Sequence, residues 1–162
     1  MKRRVPTAAS GLRRVSSLAV LVLLCLAPGA SAQVATGSPA AHTFQEQDAV
    51  SVMDRFRQAL ESESRSRTLK LFDGSRMPGF AVFRDELAQF FGQYQAPRVG
   101  YHVTQVSQDG ALGAIVAEVQ MEALPVTDGL PPLHRRAQIR VVTSWDGKEW
   151  KIADLSPRSL FR

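Results

Sequence analysis

At Pro97 the spacing of apolar residues changes, and with it the kind of structure the chain can form. Upstream, Ala49, Val50, Met53, Phe56 and Leu60 recur at helical spacing, as do Phe80, Phe83, Leu87, Phe90, Phe91 and Tyr94. Downstream the period becomes two. Val99, Tyr101 and Val103 alternate with Arg98, His102 and Thr104, and Ile115, Ala117, Val119 and Met121 with Val116, Glu118, Gln120 and Glu122. Ala137, Ile139 and Val141 then alternate with Arg136, Gln138 and Arg140, and Trp150 and Ile152 with Lys151 and Ala153. The first spacing suits a helix with one apolar stripe, the second a strand with one buried face. Helices first and strands after predict an α+β fold, with three N-terminal helices covering one side of an antiparallel sheet.

Local signals place the elements. Thr43, with Glu46 three residues on, has the form of a capping box, so the first helix is expected from Phe44 to Glu63. A second, short helix carries Leu69, Leu71 and Phe72 and stops at Asp73-Gly74. The phenylalanine stripe of the third reads as core, since a helix needs such a face to pack on a sheet. Matching charges and apolar pairs suggests one register for the middle strands. Glu122 falls opposite Arg136, Glu118 opposite Arg140 and Val119 opposite Ile139. A three-residue loop in "SQDGA", with Gly110 in a bulge, sets Val103 opposite Ile115. A two-residue Asp146-Gly147 turn sets Trp150 opposite Thr143, Ile152 opposite Val141 and Asp154 opposite Ile139, on the covered face.

The residues before this pattern read differently. "MKRRVPTAASGLRRVSS" is basic, "LAVLVLLCLA" is a short apolar core, and Ala30-Ser31-Ala32 is a small-x-small site. Residues 1–32 are therefore expected to be a signal peptide and the protein to be exported, to a periplasm or the exterior. The apolar run is about half of what a membrane helix needs, so no span is expected after cleavage. Residues 33–43 read as a flexible polar leader, and residues 44–162 as one domain. Of the 20 basic residues five lie in the presumed signal, and none of the 15 acidic ones does. The remainder is balanced, which removes the charge argument for a nucleic-acid partner. Cys25, the one cysteine, also lies in that segment, so no thiolate metal site or disulfide is available downstream.

Three stretches together resemble the nuclear transport factor 2-like (SnoaL-like, ketosteroid isomerase-like) superfamily. They are "FRQALESESRSRTLKLFD", "FAVFRDELAQFF" and "DGKEWKIADLSP", within a similarity running from Thr43 to Phe161. The resemblance implies a curved sheet wrapped around the helices into a cone, whose open end often holds a small hydrophobic molecule. It also implies pairing of two copies through the outer side of the sheet, for which Glu118, Glu122, Arg136 and Arg140 offer a charged face. The superfamily includes isomerases, dehydratases, cyclases and hydrolases besides members without known activity, so fold alone does not select a function.

Inward parity picks out Tyr94, Tyr101, Met121, Ile139, Trp150 and Asp154 as the expected lining of such a pocket. His42 lies in the leader, and His102 and His134 fall on the polar face. No metal-ligand spacing, phosphate loop or nucleophile elbow occurs, and no cofactor is implied. Two functions fit. One is non-catalytic binding of a small apolar ligand or a protein partner. The other is a cofactor-free lyase or isomerase acting on a small apolar carbonyl compound, with Asp154 as general base and Tyr101 as hydrogen-bond donor to a developing oxyanion. The enzyme requires polar groups converging in an enclosed cavity.

Overall fold

The structure is a computed structural model and describes residues 42–162. The expected signal peptide, and the leader up to residue 41, lie outside the described residues. Three helices come first: α1 (Glu46–Glu61), α2 (Arg65–Leu69) and α3 (Phe80–Gln93). Four strands follow: β1 (Tyr94–Asp109), β2 (Leu112–Pro125), β3 (Leu133–Trp145) and β4 (Trp150–Ser156). The strands form one antiparallel sheet in the order β1-β2-β3-β4. A 3-10 turn (Arg158–Phe161) closes the chain back on the helices. The expected α+β layering of helices against one face of the sheet is present.

α1 starts two residues later than its capping pattern suggested. Gln45 takes the cap position, its backbone N–H donating to Asp48 Oδ2 at 2.9 Å. Phe44 stays outside the helix, its ring buried against Trp150, edge to face at 4.8 Å. α2 ends at Leu69 rather than running to Phe72. Residues after it leave the helix to pair with β4 instead. Ile152 N–H donates to Leu71 O and Asp73 N–H to Ile152 O, both at 2.8 Å. This short bridge occupies backbone groups that the edge strand would otherwise leave open.

The strands have the predicted identities and, as far as Ala153 in β4, the predicted inner faces, but not the predicted registers. Glu118 lies opposite Gln138, Glu122 opposite His134, Val119 opposite Ala137 and Ile139 opposite Ala117. The pairing is displaced by two residues, so Glu118–Arg140 and Glu122–Arg136 do not face each other. A shift of two preserves which face each side chain takes, so Val119 and Ile139 remain buried on the same side. Exposed charge pairs are too weak to choose between registers that bury the same apolar residues. On β1 the turn is tighter than expected, with Asp109 opposite Leu112, and an irregularity after Val103 sets it opposite Ala117.

The hairpin joining β3 and β4 departs furthest. Trp145 pairs with Trp150, so the connection is the four residues Asp146–Glu149 rather than a two-residue turn. Asp146 Oδ1 accepts from the backbone N–H groups of Lys148 and Glu149 at 2.9 and 2.8 Å. Thr143 then faces Ile152, while Val142 faces Asp154, which leaves Ala153 as an extra residue in β4. Beyond that bulge the alternation inverts, so Leu155 is buried and Asp154 is not.

The space between helices and sheet is filled by the chain's own side chains. Phe56, Phe83 and Phe90 are fully buried, with Met53, Leu60, Leu87, Met121, Ile139 and Ile152 around them. Phe161, delivered by the 3-10 turn, meets all three rings at 5.6 to 6.3 Å. Each such side chain contributes roughly 1.5–3 kcal/mol by leaving water.

Candidate functional site

The residues expected to line a pocket do not form one constellation. Met121 and Ile139 are sealed within the continuous core. Tyr94 begins β1 with its ring tilted on Phe90 at 5.8 Å. Trp150 packs against Phe44 and Trp145. Tyr101 is half-buried at the α1 side of β1, where its hydroxyl donates to Val50 O at 3.4 Å. Its pKa is raised, chiefly by burial and then by the neighbouring Asp54 carboxylate.

Asp154 does not face the covered side, because the Ala153 bulge turns it outward. Its carboxylate accepts from Arg158 Nη2 at 3.3 Å, and the same guanidinium donates to Pro78 O at 2.6 Å. These groups border an external hollow of about 480 Å³ at the chain's end. Asp154 and Tyr101 therefore hold different partners in different places, and the structure does not bring them together.

The outer face of the sheet presents polar groups from three strands. β1 contributes Arg98 and His102, β2 Glu118, Gln120 and Glu122, and β3 His134, Arg136, Gln138 and Arg140, all exposed. Arg136 Nη2 donates to Gln120 Oε1 at 3.1 Å, and His134 Nδ1 lies 3.6 Å from Glu122 Oε1. Among the described residues Arg98, Glu118 and Arg140 have no ionic partner. Gly100 leaves a dent, since a side chain there would meet nothing within 4 Å. A hollow of about 350 Å³ lies over it, between His102, Glu118, Gln120 and Arg136.

At the far end of the sheet is a cluster that sequence reasoning missed. Arg55 of α1 pairs with Glu149 and donates to Trp150 O at 2.9 Å, while Lys151 Nζ lies 2.5 Å from Glu149 Oε1. Glu149 is held below its ordinary pKa, first by the Lys151 hydrogen bond. Close by, Thr143 and Ser144 are fully buried polar residues. Nothing in the sequence joins Arg55 to Glu149, which are far apart along it. Thr143 did carry a signal: it is a polar residue at an inward position of β3. Among the described residues no group of three or more His, Cys, Asp or Glu could hold a metal ion, and no helix is long and apolar enough to cross a membrane.

No protein-family model and no curated protein sequence matches the chain. Solved structures do. A ketosteroid isomerase-like protein from Erwinia carotovora atroseptica matches with a TM-score of 0.55 at 12% identity, over 69% of this chain and 95% of that one. A candidate dehydratase of the nuclear transport factor 2-like family from Streptomyces avermitilis matches with a TM-score of 0.52 at 12% identity, over 67% and 92%. A candidate calcium/calmodulin-dependent protein kinase type II association domain from Thiobacillus denitrificans matches with a TM-score of 0.50 at 13% identity, over 65% and 90%.

Proposed function

We propose that this chain, which has the nuclear transport factor 2-like fold, is an exported association domain that pairs with a second copy of itself through the outer face of its sheet. The observation that carries this reading is that face: broad, exposed and bearing both signs of charge with several charges unpaired. An isologous interface requires a self-complementary patch. Here the acids stand on β2 and the arginines on β1 and β3, so a two-fold arrangement lets Glu118 and Glu122 of one copy meet Arg136 and Arg140 of the other. The dent at Gly100 gives such a partner close approach to the sheet.

A non-catalytic role is supported by the interior. An enzyme of the lyase or isomerase kind needs polar groups converging in an enclosed site. The inward positions here are instead occupied by phenylalanines, and Asp154 and Tyr101 are engaged separately. The similarity to an association domain is in keeping with this reading, although the same fold also carries isomerase-like and dehydratase-like proteins. Export is inferred from the basic segment, apolar run and Ala30-Ser31-Ala32 site. Intact mass of the exported protein should correspond to a start at Gln33, and retention of residues 1–32 would remove that part of the proposal.

Charge reversal tests the pairing. Glu118→Arg with Glu122→Arg, and separately Arg136→Glu with Arg140→Glu, should each give monomers, because like charges then face each other. Mixing the two variants should restore a heterodimer in sedimentation. Homodimers surviving both reversals would place the interface elsewhere.

A further inference from the structure

Near the start of α1 one of the chain's own side chains, Phe44, fills a slot beneath the sheet. We infer that the slot holding the Phe44 ring, between Gly113, Thr143 and Trp150, is a binding site for a small planar aromatic molecule carrying one hydrogen-bonding substituent. Phe44 is its displaceable internal occupant. This goes beyond the association role and does not depend on it.

The slot is shaped for a flat ring. A Cβ on Gly113 would lie 2.4 Å from Phe44 Cγ and 2.6 Å from Thr143 Oγ1. Ring, glycine and hydroxyl therefore meet at one point, and any larger residue at 113 would close the space. Trp150 walls the slot, edge to face with Phe44, and Trp145 stands next to it at 5.5 Å.

The slot is chemically mismatched to its present occupant. Thr143 is fully buried and its Oγ1 has no hydrogen-bond partner. A buried orphan hydroxyl is costly, and valine would keep the shape without that cost. A phenyl ring offers it at most a weak contact with its π face, whereas a ring bearing a hydroxyl can pair with it fully.

The occupant's ring is buried, but its backbone is lightly tied. His42–Phe44 belong to no helix or strand. Phe44 N–H donates to Gln108 Oε1 at 2.8 Å, Gln108 Nε2 donates to His42 O at 3.3 Å, and the His42 ring stacks on Trp145 at 3.9 Å. Moving these three residues breaks no helical turn and no sheet ladder. A neighbouring hollow of about 320 Å³, bordered by Arg55, Trp145, Lys148 and Trp150, gives an approach. A ligand of this class would compete with Phe44, so its apparent affinity is reduced by the fraction of molecules in which the ring is seated.

Phenol is the probe. The sequence has two tryptophans, of which Trp150 walls the slot and Trp145 packs on Trp150, so intrinsic fluorescence reports on it. Phenol should give a saturable change with the unaltered protein, and Phe44→Ala should bind it about tenfold more tightly or better. Thr143→Val should raise the thermal midpoint of the free protein yet weaken phenol binding about tenfold, roughly the worth of one hydrogen bond. Benzene binding should be insensitive to that change. The unaltered protein and Thr143→Val carry the test without the Phe44 substitution. Absence of a saturable signal in the unaltered protein would overturn the inference. So would phenol binding indifferent to Thr143→Val, which would place the bound ring away from that hydroxyl.

Discussion

Asp154 donates nothing to the interior, since its carboxylate is held by Arg158 at the outside of β4. Its side chain is 38% exposed, and ion pairs so exposed contribute little. Asp154→Asn should therefore change stability by about 1 kcal/mol or less in urea denaturation. A loss well above that would mark a structural role for the carboxylate, and a loss of turnover with the fold preserved would restore the general-base reading. Gly113 is the opposite case. Gly113→Ala drives a methyl group into Phe44 Cγ and should cost roughly 1–3 kcal/mol by overpacking. The inward parity of Tyr101 and Thr143 was legible in the sequence. The outward turn of Asp154 was not, because it depends on one extra residue with no sequence mark of its own: Ala153 is as ordinary in a regular strand as in a bulge.

The β3–β4 hairpin shows what an element adds to its residues. Deleting Ala153 would remove only the extra residue: Asp154 would follow the inward Ile152 directly and stay outward opposite Val142, with Leu155 still buried opposite Val141. The faces are unchanged, so the deletion variant should keep the native circular dichroism spectrum and unfold cooperatively. A variant that fails to fold would mean that the bulge itself, rather than the facing it sets, is required. The same hairpin has a pH signature. Glu149 and Asp146 are held below their ordinary pKa values, by Lys151 and by backbone N–H groups respectively. Depressed carboxylates stabilise the fold fully above their unfolded values, near pH 4, and lose that contribution as pH falls through the folded values. Stability should thus be level between about pH 5 and 7 and decline below about pH 4, less steeply in Glu149→Gln, as followed by denaturant midpoints. Strand faces were legible from alternation, which is insensitive to a shift of two. Register was not, because its determinants are the loop lengths, and "SWDGKEW" accommodates a four-residue connection as readily as a two-residue one.

For the whole molecule, the period change at Pro97 was enough to separate helical from sheet layers, and the fold followed from it. Whether the cone is hollow was not legible. A stripe such as Phe80, Phe83, Leu87 and Phe90 packs equally well beside a cavity or against a ring from elsewhere, and that ring, Phe161, arrives from the last turn of the chain. Its contribution should be large: Phe161→Ala leaves a void among Phe56, Phe83 and Phe90 and should cost roughly 3–5 kcal/mol. With the interior filled, the account rests on the outer face of the sheet. The most direct test is the mass of the purified protein in solution, measured by sedimentation velocity across concentration and salt. The account predicts twice the chain mass at low ionic strength, shifting towards monomer as salt screens the pairing between Glu118, Glu122 and the facing arginines. A single-chain mass at every concentration would contradict it.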